Sequence, residues 1–98
     1  MKFVKFECRT PYVGTDYEEY LVVEDDATNE YLEMQCKGLA IDIGNYYKHL
    51  LKSDMEGMTE IEKNIYYLDY LQDCMDLSKW KYITEYDFNI AMDEQTEI

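Results

Sequence analysis

The sequence predicts a small α+β domain, an antiparallel sheet packed on two helices in the element order β-β-α-α-β-α. Three observations predict it. Two stretches near the N-terminus alternate polar and apolar residues with the period of a strand, and a third does so near residue 80. Between them, two segments repeat apolar residues every three or four positions, each opened by a threonine suited to capping a helix. Grouped strands and grouped helices mark an α+β layer rather than a parallel sheet. Ninety-eight residues suit one domain, 1–98, with a single modest core and no room for two.

The first strand is Lys2 to Cys8, with Val4, Phe6 and Cys8 on one face and Phe3, Lys5 and Glu7 on the other. RTPYVGTD then reads as a structured loop, since Pro11 fixes its own φ and Gly14 permits a positive one. Tyr17 to Glu24 (YEEYLVVE) is aromatic and β-branched and should pair antiparallel with the first strand. One face of such a sheet rests on helices while the other faces water.

Thr28 is the N-cap expected for the first helix, whose stripe is Leu32, Cys36, Leu39, Ile43, Tyr47 and Leu50. Gly38 and Gly44 weaken it, and a bend or break is expected near Gly44. Thr59 and Glu62 form a capping box that opens the second helix, with Ile61, Ile65, Leu68, Leu71 and Met75 as its buried stripe. LSKWKYIT is the third strand, with Trp80 and Tyr82 opposed to Lys81 and Ile83. Thr84 and Asp87 open a short last helix, and a frayed acidic tail is expected from about residue 93.

Charge is the unusual property. Twenty-two acids face nine bases, a formal charge of −13 that favours solubility and works against the compact state. Residues 16–33, DYEEYLVVEDDATNEYLE, hold eight of those acids and no base. Part of that run complements the positive end of the first helix, and an ordinary solvated surface accounts for much of the rest. So negative a surface repels nucleic acid and anionic lipid, which excludes direct nucleic-acid binding and membrane binding. Cys8, Cys36 and Cys74, odd in number and without a C-x-x-C, point to buried thiols in a reducing cytosol.

Catalytic and metal chemistry find little support. His49 is the only histidine and reads as a surface residue near a helix C-terminus. DMEGMTEIE lacks the ligand order of an EF-hand, and one histidine with scattered cysteines makes no zinc site. No cofactor, no metal and no enzymatic activity are expected. Eleven tyrosines beside the acids instead suit a protein-binding surface, because tyrosine and carboxylate together capture arginine and lysine.

TPYVGTDYEEYLVVEDDATNEYLE resembles the opening of a family of small acidic bacterial and phage proteins of unknown function, which share a T-P-Y-x-G-T-D-Y-E-E-Y segment. Cys74, Trp80 and the run from Ile83-Thr84 to Phe88 resemble later parts of that pattern. Lys37, Lys48 and Lys52 depart from it by making the middle helix less acidic. The resemblance implies a phage or mobile-element setting. At the level of class it is similar to anti-CRISPR proteins and DNA mimics, stoichiometric inhibitors that work in the host cytoplasm.

The expected function is therefore inhibition of a host nucleic-acid-binding defence complex or nuclease, by occupation of its basic DNA- or PAM-reading channel. The residues expected to bind the partner are Asp16, Glu18, Glu19, Glu24, Asp25, Asp26 and Glu30, with Tyr12 and Tyr17 as aromatic anchors. The alternative is a homo-oligomeric or regulatory interaction module, such as a homodimer, whose acids only solubilise it.

Overall fold

The period of two in Lys2–Cys8 builds β1, and Val4, Phe6 and Cys8 lie fully buried along one of its faces. The computed structural model describes residues 1–96. β2 (Tyr17–Val23) and β3 (Lys79–Ile83) flank β1, both antiparallel, in the order β2-β1-β3. The helices are α1 (Asn29–Tyr46), α2 (Glu60–Leu77) and α3 (Glu85–Thr96), with one 3-10 turn at Lys48–Leu51. The expected class and element order hold.

Each expected cap forms. The Thr28 hydroxyl accepts from the Tyr31 amide at 3.1 Å, and the Thr84 hydroxyl from the Asp87 amide at 3.1 Å. Thr59 and Glu62 close their box reciprocally. The β1–β2 loop is pinned by its own threonines. Thr10 and Thr15 are buried with their hydroxyls 2.7 Å apart, and Thr15 donates to the Tyr12 carbonyl at 2.6 Å. Gly14 takes φ 83°, a turn conformation that costs a Cβ-bearing residue energy.

Five expectations need correction. The sheet does not leave one face to water: α3 lies there, with the Phe3 and Phe88 rings 4.9 Å apart. Phe3 is opposite Ile83 in the register, so that face carries an apolar pair of its own for α3 to cover. The tail expected from 93 is helix through Thr96; residues 97–98 lie outside the described residues.

The single core is in fact two. Val4, Phe6, Cys8, Val23, Leu32 and Cys36 form one cluster between sheet and α1. Ala40, Leu51, Tyr70 and Cys74 form another between α1 and α2. α1 supplies both, at different heights, so the chain spreads instead of rounding up. Its radius of gyration is 16.0 Å and its extents 50 × 33 × 14 Å, against about 13 Å for a rounded domain of this length.

α2 packs with a face rotated from the expected one: of the expected stripe, Leu71 and Met75 pack against the second core, while Ile61, Ile65 and Leu68 do not. Tyr70 and Cys74 are buried, Tyr66 and Tyr67 half-buried, and Ile61, Ile65 and Leu68 stand 73%, 57% and 63% exposed. Both faces of α2 are apolar, so periodicity could not choose between them. The choice is made by α1, which offers Ala40 and Gly44, four residues apart, as a groove of small residues. A Cβ at Gly44 would stand 2.9 Å from Leu71 Cδ2 and 3.2 Å from Cys74 Sγ. Gly44 therefore allows helix contact rather than a bend, and α1 runs through it to Tyr46.

The two glycines of α1 thus differ. Nothing lies within 4 Å of a Cβ at Gly38. Gly38→Ala should stabilise the chain by about 1 kcal/mol, raising Tm by roughly 4–8 °C. Gly44→Ala should gain little of this, and a thermal melt of the two variants checks the difference.

Candidate functional site

Strand alternation divides the acidic run. Glu18 and Glu19 are neighbours in sequence and lie on opposite faces of the edge strand β2. Glu18 shares a face with Lys5, 3.3 Å away, and accepts from the Tyr20 hydroxyl at 2.8 Å. The Tyr20 hydrogen bond and Lys5 hold its carboxyl below the usual range. Glu19 accepts from the Tyr17 hydroxyl on the other face. Asp16 lies 3.9 Å from the Arg9 guanidinium. Glu7, on β1, takes Lys5, Arg9 and Lys81 at 3.5–3.7 Å. At this end of β2, Asp16 and Glu18 are thus met by bases of β1 or the residue after it, while Glu19 is met only by the Tyr17 hydroxyl.

The far end of β2 differs. Glu24, Asp25 and Asp26 form the turn into α1, closed by the Ala27 amide donating to the Glu24 carbonyl at 3.1 Å. Asp25 is taken by the Met1 amino group at 2.6 Å, which holds its carboxyl low. Among the described residues, Glu24, Asp26 and Glu30 have no ion-pair partner. Beside the turn lies a cleft of about 360 Å³ lined by Leu21, Val22, Val23 and Tyr31 together with Glu24 and Asp26. Aliphatic wall, phenol ring and unneutralised carboxylate are the three features that receive a lysine or arginine side chain, stem and head together.

The nine expected residues therefore fall into four places. Glu24 and Asp26 line the cleft with Asp25 in the same turn, Glu30 faces a separate depression with Glu33, Met34 and Trp80, and Asp16, Glu18, Glu19 and Tyr17 lie at the opposite end of β2. Tyr12 belongs to none of these. Its hydroxyl donates to Asp54, which also accepts from Tyr66 at 3.1 Å, and its ring lies 6.0 Å from Tyr70 in the second core. It ties the β1–β2 loop to α2. Tyr70 itself is buried.

Sequence reasoning missed Leu21 and Val22 as site residues. The available signal was Leu21-Val22-Val23, three apolar residues in a row on a strand, of which one or more must face outward. Leu21 and Val22 are indeed 36% and 38% exposed.

Paired tyrosines and buried thiols give the chain an alkaline limit. Burial, then the hydrogen bond to Glu18, pushes Tyr20 up to about 12, and burial does the same for Tyr70. Cys8 rises from 9.0 to about 12, first by burial and then by the neighbouring Cys36. Tyr12 and Tyr17 shift upward through their bonds to Asp54 and Glu19. These groups ionise more readily in the unfolded chain, at about 9–10. The stability they contribute is complete below that range and lost as pH rises towards 12. Ellipticity should fall in this window together with the last part of the tyrosinate absorbance; ionisation of all eleven tyrosines near pH 10 with the helix signal intact would contradict the assignment.

No family model, curated protein or solved structure matches the chain. Among the described residues, no helix is long and apolar enough to cross a membrane.

Proposed function

We propose that this chain is a non-enzymatic binding protein whose partner is a basic, nucleic-acid-binding protein, held at the β2–α1 cleft. The carrying observation is the cleft itself, where Glu24 and Asp26 stand without ion-pair partners beside Leu21, Val22 and Tyr31. Both carboxyls with a displaced pKa, Glu18 and Asp25, are held low, as befits stabilised anions rather than general acids. A net charge of −13 speeds encounter with a cationic surface and repels anionic ones. Basic channels that grip nucleic acid meet one phosphate charge per roughly 1.7 Å of duplex axis, and a dense acidic surface competes for the same lysines and arginines. Inhibition of a host defence nuclease, in the manner of an anti-CRISPR protein, is the specific form of this reading.

The test is affinity capture from bacterial lysate with the native chain and with Glu24→Lys/Asp26→Lys, each with and without competitor duplex DNA. The native chain should retain nucleic-acid-binding proteins that DNA displaces, and the variant should lose about tenfold or more of that recovery at unchanged Tm. Equal recovery by the variant sinks the cleft. The alternative, a homo-oligomeric module, draws on the exposed apolar face of α2, and its mark is dimerisation that persists in high salt.

A further inference from the structure

Ile61, Ile65 and Leu68 lie at i, i+4 and i+7, the spacing of one helix face, and that face points away from both cores. An apolar stripe left in water on a short helix marks an interaction surface. Its surroundings specify the occupant. α2 carries Glu60, Glu62, Asp69, Asp73 and Asp76 against one base, Lys63. Lys63 is half-buried and lies 3.7 Å from Glu60. On a helical wheel, Glu62, Asp69 and Asp76 flank the stripe on one side, while Lys63 falls on the inward side with Tyr67 and Tyr70. A second copy packed here would set acid against acid with no base to meet them.

We infer that the outer face of α2 seats a cationic amphipathic helix of the partner, its apolar residues on Ile61, Ile65 and Leu68 and its lysines or arginines over Glu62, Asp69 and Asp76. An apolar stripe at this spacing matches the i, i+3, i+4 and i+7 anchors that an amphipathic partner helix presents. This deepens the proposed function and rests on its premise that the partner is basic. It adds a second contact, apolar in character, to the charged cleft at the end of β2.

Two labelled synthetic peptides test it by fluorescence anisotropy. One is a lysine helix of about five turns with a leucine stripe; the other has the same lysines with serine in place of every leucine. The native chain should bind the leucine peptide about tenfold or more tighter than the serine peptide. Ile65→Ser/Leu68→Ser, which alters only exposed positions, should remove that preference with Tm unchanged. Equal affinity of the native chain for both peptides overturns the stripe and leaves the basic-partner reading standing. Binding of neither overturns both. A leucine preference that survives the serine substitutions places the apolar contact elsewhere and overturns the inference. So does self-association that those substitutions abolish, which would assign the face to a second copy.

Discussion

Phe6→Ala should leave the chain largely unfolded at room temperature. Phe6 is fully buried on the central strand, opposite Trp80 on β3 and Glu19 on β2, with α1 above it. Truncating a buried phenylalanine costs about 3–5 kcal/mol, against a total of roughly 5–15 kcal/mol for an ordinary domain. Self-repulsion at −13 works against the compact state and so leaves less reserve to absorb that loss. A urea titration at low salt should find no cooperative transition for the variant, and added salt should restore part of one by screening. A loss below about 1 kcal/mol would mean that the first core does not depend on this ring.

Leu51→Ala should act on the other half of the molecule. Leu51 is fully buried in the 3-10 turn between α1 and α2, and with Tyr70 and Cys74 it forms the second core. The substitution costs about 2–5 kcal/mol, and it should loosen α2 before the sheet. Three native thiols can read this. Cys8 and Cys36 sit in the first core and Cys74 in the second, all buried. Thiol labelling under native conditions should quicken at Cys74 while Cys8 and Cys36 stay slow. Equal quickening at all three would show that the two cores open as one unit.

Those two cores mark where the sequence was legible and where it was not. Strand alternation placed Val4, Phe6 and Cys8 inward, and the capping threonines located three helix starts, because both signals act within a few residues. Which face of α2 packs is decided across the chain, by the small residues Ala40 and Gly44, and α2 alone holds no trace of that choice. The site behaves likewise. Composition located the acidic run, but only the register shows Glu18 and Glu19 parting to opposite faces, and only the tertiary fold draws Tyr12 to Asp54. The cleft needed Leu21 and Val22, whose exposure follows from β2 being an edge.

The thinness of the molecule, 14 Å along its shortest axis, bears on how long it survives in a cell. With two shallow cores, transient openings should expose cleavable backbone, so free chain should be digested through them. A partner that binds only the folded form suppresses those openings, by about 2.7 kcal/mol at a hundredfold excess over Kd. On the proposed function, turnover should gauge occupancy: unbound copies should be removed faster than bound ones, and abundance should follow that of the target. Limited proteolysis with and without the leucine–lysine peptide would read this directly, as a half-life that lengthens with peptide concentration.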